Sequence, residues 1–275
     1  MRNWLRRLRL NRFLVPFVCA SLFAVGFALQ PVLADDKADK KEEKKPEPPR
    51  VSVALPLALK SGVTNQVIIR GQNLTNVTAL NFTNEVVKAT VVLGKRTKAE
   101  VPKEADARKV GDTQVTVEIL LPADAPAGTN WFVLASPDGI SEPAPILFLP
   151  AGQVIEEKEP NGGFREAQAL PIGQTMSGTI KETGDVDVFR FQGVAGQVIR
   201  LEVVGAAVGS ALDSLMTLYD GNDQRLASND DAHGGRDSFL ETRLAATGVH
   251  YVSVMDANDK GGPIHVYLLR IVSLR

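Results

Sequence analysis

From residue 51 onward, apolar residues recur at every second position in runs of five to ten, broken by Gly, Pro, Asn and Asp, and sustained helical spacing is nearly absent. A period of two places alternate side chains on opposite faces of an extended chain, so the pattern confines this region to strands. Seven candidate strands fall within residues 51 to 150: Val51 to Leu55, Gln66 to Arg70, Thr78 to Phe82, Val86 to Leu93, Gln114 to Leu121, Asn130 to Ala135 and Ile146 to Leu149. That count suits a β-sandwich. The charged stretch Gly94 to Asp112 interrupts the rhythm and reads as a long exposed loop or hairpin. Eight more strands follow Pro150-Ala151-Gly152: Thr175 to Ile180, Val186 to Phe191, Gln197 to Val204, Leu215 to Tyr219, Arg225 to Ala227, Phe239 to Leu244, His250 to Met255 and Ile264 to Val272. Turns such as Asp220-Gly221 between them indicate an antiparallel sandwich of jelly-roll type. Ile199, Leu201 and Val203 alternate with Arg200 and Glu202, so one sheet face is buried and the other wet.

The first fifty residues follow other rules. Residues 1 to 12 are basic, residues 13 to 29 are apolar, and Val32-Leu33-Ala34 offers a cleavage site. This is the pattern of a secretory signal peptide over residues 1 to 34, and it places the mature chain in a secreted, periplasmic or cell-surface location. Pro16, Gly26 and Pro31 interrupt the apolar run, which argues against a retained membrane anchor and leaves no expected span once the signal is removed. Residues 35 to 50 alternate acids and bases, end in Pro46, Pro48 and Pro49, and contain no large apolar side chain. Nothing there offsets the entropy of ordering a backbone, so they read as a disordered charged linker.

Charge narrows the function. Residues 151 to 275 carry seventeen acids and eleven bases, whereas residues 51 to 150 are balanced. Nucleic-acid binding requires a basic face and is excluded; cations are the favoured partners. Cys19 is the only cysteine and lies in the signal segment, so disulfides, thiol catalysis and Cys-ligated zinc are not expected in the mature chain. Three Asn-x-Thr triplets, at Asn73, Asn76 and Asn81, crowd one segment and read either as turn and strand residues or as glycosylation acceptors.

Two family resemblances give the strand pattern a frame. Residues 51 to 149 resemble an IPT/TIG immunoglobulin-like domain: the run Pro56 to Leu74 places a Pro and a Gly before a strand closing on Gly71-Gln72-Asn73-Leu74. Residues 155 to 273 resemble bacterial pre-peptidase C-terminal domains, which are similar to the collagen-binding modules of clostridial collagenases. The motifs run in the family order: Glu159-Pro160-Asn161, Glu166-Ala167-Gln168, Gly178-Thr179-Ile180, Gly184 to Phe189, Asp213 to Tyr219, and Asn229-Asp230-Asp231. The resemblances imply an all-β protein of two consecutive β-sandwich domains, immunoglobulin-like over 51 to 150 and jelly-roll-like over 151 to 275, after a signal peptide and charged linker. The second also implies a non-catalytic module that commonly accompanies a secreted peptidase, several of whose relatives bind calcium. No peptidase domain precedes it in this chain.

Oxygen-bearing residues repeat every second position in Glu157, Glu159 and Asn161, and again in Asp185 and Asp187, the latter in phase with apolar Phe189 and Phe191. Two such ladders brought together would supply the hard oxygen donors that Ca²⁺ takes, and a solvated acidic edge is the other reading. The resemblance points to Glu157, Glu159, Asn161 and Asp185 as calcium ligands. Asp213, Asp230 and Asp231 match the family pattern as a second site, either metal or loop caps. Enzyme readings find little support: the three histidines have no zinc spacing, no G-x-S-x-G elbow occurs, and the glycine pairs are not phosphate loops. The expectation is a non-enzymatic extracellular or envelope protein with a structural Ca²⁺, binding an extracellular protein or a polysaccharide. The alternative is an accessory subunit of a secreted peptidase, or a divergent hydrolase. Trp131, Tyr219, Tyr251 and Tyr267 are candidates for a ligand surface or for core packing.

Overall fold

A computed structural model describes residues 46–101 and 105–274; the expected signal peptide and most of the expected charged linker lie outside the described residues. Nine strands make the first pair of sheets: β1 Arg50–Leu55, β2 Ala58–Ser61, β3 Thr64–Gln72, β4 Ala79–Phe82, β5 Thr90–Lys98, β6 Thr113–Leu120, β7 Gly128–Ser136, β8 Gly139–Ile140 and β9 Ala144–Pro150. They form the sheets β1-β3-β6-β5 and β2-β9-β7-β4, with β8 on β7. Ten strands make the second pair: β10 Val154–Glu156, β11 Gln168–Ala169, β12 Thr175–Thr179, β13 Val186–Gly193, β14 Val198–Val204, β15 Ser214–Tyr219, β16 Arg225–Asn229, β17 Phe239–Arg243, β18 Gly248–Asp256 and β19 Val266–Leu274. Their sheets are β10-β12-β19-β14-β17 and β11-β13-β18-β15-β16. The fold is an all-β sandwich architecture.

Inward-facing residues of each sheet pair build a core of their own. In the first, Val67 and Ile69 of β3 and Val115, Val117 and Ile119 of β6 meet Phe132, Leu134, Ile146 and Phe148 from the facing sheet. In the second, Phe189 and Phe191 of β13 and Val252 and Val254 of β18 meet Ile199, Leu201, Leu269 and Ile271.

A third cluster joins the two sandwiches. Val53, Leu57, Leu147 and Leu149 pack with Val208, Ile264 and Leu268, and Lys60 pairs with Glu156 at 2.6 Å beside them. The residues of β9 and β19 therefore face apolar neighbours on both sides, and residues 45–275 form one compact unit. Double-sided burial explains the unbroken apolar runs Ile146 to Leu149 and Val266 to Leu269, where a strand with one wet face would alternate.

The structure corrects the sequence reading in the charged insert. The expected strand at Val86 begins only at Thr90 and runs to Lys98, through residues read as loop, with a register shift between Leu93 and Arg96. As an edge strand with one partner, β5 turns only Val91 and Leu93 toward the core, and every residue from Gly94 to Lys98 is exposed, so its second half has no buried face to write an alternation. A single helical turn, Ala107–Val110, capped by Asp106, follows it. The short strands β2, β8, β10 and β11 also escape the periodicity, since two to four residues hold too little pattern. Asn73 adopts a left-handed φ of 59° and donates to Pro48 O, Asn76 bonds Asp138, and Asn81 lies on β4, which are turn and strand roles.

Candidate metal centre

Strand β10 pairs in parallel with β12 and delivers the chain to Glu157, whose backbone N–H donates to Ser177 O. Gln168, from the Glu166-Ala167-Gln168 motif, then clamps this segment: its Oε1 accepts from Lys158 N at 2.7 Å and its Nε2 donates to Glu156 O at 2.9 Å. Residues 157 to 161 are thus tied down although they belong to no strand. Asn161, fully buried, ends the segment by accepting Val188 N on its carbonyl, which fixes it to β13.

On β13, Asp187 faces inward in phase with Phe189 and Phe191 and is fully buried. One of its oxygens, Oδ2, accepts from Tyr267 Oη at 2.6 Å. Tyr267 sits on β19 directly opposite Gly178 of β12, and a Cβ at Gly178 would overlap the phenol ring and hydroxyl. The glycine of the Gly178-Thr179-Ile180 motif is therefore the space in which the tyrosine reaches Asp187.

These elements bring ligand oxygens of Glu157, Glu159 and Asp187 within 4.8 Å of one another, the one such group among the described residues. Glu157 Oε1 accepts from Asn161 Nδ2 and Oε2 from Thr179 N, each at 2.9 Å. Glu159 Oε2 accepts from Asn161 N at 3.1 Å, and Oε1 pairs with Lys181 Nζ at 2.8 Å. Two buried oxygens, Asp187 Oδ1 and Asn161 Oδ1, have no hydrogen-bond partner.

Electrostatics follow from this crowding. Like charges about 4–5 Å apart repel by on the order of 3–4 kcal/mol at an effective dielectric near 20, so the trio does not stay fully ionised without a positive charge or a proton. Burial first, then the hydrogen bond and charge of Glu157, push the Asp187 carboxyl up to about 9, against the opposing Tyr267 hydrogen bond. Burial first, then the charge of Asp187, raises the Tyr267 phenol well above its ordinary value. Its hydrogen bond to Glu159 raises Lys181.

The other expected ligands go elsewhere. Asp185 precedes β13 in a tight turn and spends Oδ2 on Lys181 N at 2.6 Å, outside the carboxylate trio. Asp213, Asp230 and Asp231 do not converge. Asp213 bonds Asn258 Nδ2, Asp230 accepts from Asp231 N, and the carbonyl of Asp231 accepts from Asn229, all loop-capping contacts. Buried Asp256, absent from the sequence reading, organises that region by accepting the N–H groups of Asp213, Asn258 and Lys260. Tyr267, Gly178, Lys181 and Gln168 are further members of the centre that sequence patterning missed. The usable signal was a tyrosine at an inward position, whose hydroxyl requires a buried acceptor.

Of the aromatic candidates, Tyr267 is core, while Tyr219 and Tyr251 are cross-strand neighbours, half-buried, with the Phe164 ring edge-on to both at about 5 Å. Trp131 is 45% exposed.

No family model and no curated protein matches the chain. Solved structures do. The fold is similar to the pre-peptidase C-terminal domain of collagenase from Bacillus anthracis, at 18% identity over 42% of this chain and 99% of that one, with a TM-score of 0.33. It is similar also to the Aeromonas hydrophila periplasmic inhibitor of g-type lysozyme, at 14% identity over 39% of this chain and 97% of that one (TM-score 0.31). A third likeness is to a protein of a Bacteroides ovatus mixed-linkage glucan utilization locus, at 11% identity over 76% of this chain and 74% of that one (TM-score 0.27). None of the three says what this chain binds. Among the described residues no helix is long and apolar enough to cross a membrane.

Proposed function

We propose that this chain is a non-catalytic binding protein working outside the cytoplasmic membrane, whose second sandwich is locked by one Ca²⁺ at Glu157, Glu159, Asn161 and Asp187. The observation that carries the metal is the pair of buried oxygens without partners, Asp187 Oδ1 within the carboxylate trio and Asn161 Oδ1 on the amide that donates to Glu157. Leaving buried polar atoms unpaired costs about 1–3 kcal/mol each, and a hard cation that takes six to eight oxygens removes that cost. Every donor in the centre is an oxygen, which suits Ca²⁺ and disfavours softer metals that prefer nitrogen or sulfur. The ion would supply charge neutralisation and cross-linking, tying the 157–161 segment to β13. Lys181 holds part of the same negative charge and would yield Glu159 to the ion.

The location rests on the signal-peptide pattern, and the binding role on half-exposed aromatic side chains displayed by rigid sheets, with an extracellular protein or polysaccharide as the ligand. A melting curve in EDTA and in about 10 mM Ca²⁺ tests the metal. Extracellular modules bind with dissociation constants of about 10⁻⁴ to 10⁻³ M, which gives about 1.4–2.7 kcal/mol of stabilisation. Equal melting temperatures in the two buffers would remove calcium from the proposal.

A further inference from the structure

Where the outward faces of the two sandwiches diverge beyond their shared apolar cluster, they leave a cleft of about 650 Å³, within the range of ligand pockets and at the kind of junction where such pockets concentrate. Its walls are chemically distinct. On one side Trp131 of β7 stands opposite Pro145 of β9, and the two form a flat apolar step. On the other, Phe239, Glu202 and Arg270 occupy adjacent cross-strand positions on β17, β14 and β19, one row across the sheet. Phe239 is held by the His233 ring, edge-on at 4.9 Å, and by the Arg200 guanidinium, 5.4 Å from its centroid. Glu202 and Arg270 form an ion pair at 2.7 Å, and both side chains remain about one-third exposed.

We infer that this cleft binds a neutral oligosaccharide, an inference that rests on the binding-protein reading and names its site and ligand class. A sugar chain offers apolar C–H faces and a rim of hydroxyls, each both donor and acceptor. The Trp131–Pro145 step matches the faces. The ion pair matches the rim, because a guanidinium keeps donors and a carboxylate keeps lone pairs beyond those they spend on each other. Arg236 and Asp237, also in the lining, add one charge of each sign, so the cleft carries no net charge and selects against charged ligands: an anion would have to compete with Glu202 for Arg270, and a cation with Arg270 for Glu202. A peptide adding as a strand would have to pair along the edge strand β17, away from Glu202 and Arg270, which lie on interior strands of that sheet.

The chain from Asp35 onward has Trp131 as its only tryptophan, so its fluorescence reports on the cleft alone. Titration with cello-, xylo-, manno- and maltohexaose, and with oligogalacturonate as the charged control, should give a saturable emission shift with at least one neutral sugar and none with the acidic one. Trp131→Ala, followed by calorimetry, and Glu202→Gln should each weaken that binding more than tenfold with little change in melting temperature. Absence of a shift at millimolar concentrations of every neutral sugar, or tighter binding of the acidic one, overturns the inference. If a sugar binds and Trp131→Ala binds it equally, the cleft is not the site while the binding-protein reading stands.

Discussion

Replacing Gly178 by Ala should destabilise the protein, although the same change on an ordinary strand stabilises it. Ala restricts the unfolded chain and normally gains about 0.4–1 kcal/mol where its backbone conformation fits, and the φ of Gly178 is not among the positive values that require glycine. The added methyl, however, would meet Cζ and the hydroxyl of Tyr267, which is 1% exposed and has nowhere to go. Overpacking of this kind costs about 1–3 kcal/mol, and displacing the phenol also strips Asp187 of the hydrogen bond from Tyr267, worth about 0.5–1.5 kcal/mol to the protonated carboxyl of metal-free protein. For a folded unit of this size the net loss corresponds to a fall of roughly 4–15 °C in melting temperature. The assay is a double-mutant cycle with Tyr267→Leu, melted in EDTA. The smaller side chain relieves the clash, so the two changes should couple by about 1 kcal/mol or more. A neutral or stabilising Gly178→Ala would refute the argument that this glycine exists to seat Tyr267 on Asp187.

Three further outcomes are expected. Leu268→Ala, at a fully buried position shared by both sandwiches, should cost about 2–5 kcal/mol and lower or split the melting transition of the whole unit; calorimetry that finds no change would separate the sandwiches. Metal-free protein should lose stability as pH rises from about 4 toward about 9, because folded Asp187 holds a proton that its unfolded counterpart releases near 3.8. Melting in EDTA at pH 5 and pH 8 checks the sign, and higher stability at pH 8 would contradict it. Lys181→Met removes the cation paired with Glu159, so calorimetric Ca²⁺ affinity should rise several-fold; a decrease would make Lys181 a partner of the ion and not its competitor.

Strands with one wet face were legible: β12 through β18 follow the alternation to within about two residues, because burial of one face leaves an imprint of period two, while β19, buried on both faces, was marked by its unbroken apolar run. The second half of edge strand β5, Gly94 to Lys98, and the short parallel partners β10 and β11 were not, since their pairing is fixed by neighbours distant in sequence. The same division runs through the centre. Glu157, Glu159 and Asp187 were visible as alternating oxygens, and the phase of Asp187 with Phe189 already implied burial. Asp185 shared that phase on paper, yet it lies one residue outside β13, where a turn redirects it to the backbone of Lys181. Tyr267 and Gly178 meet only through antiparallel register, which no local pattern records.

Calorimetric titration of Ca²⁺ into metal-free protein tests the proposed centre most directly. One ion should bind per chain, with binding lost in Asp187→Asn, weakened at least tenfold in Glu159→Gln and unchanged in Asp213→Asn. Binding that survives Asp187→Asn, or that disappears with Asp213→Asn alone, would place the ion elsewhere and leave Glu157, Glu159 and Asp187 as an acidic cluster settled by a proton.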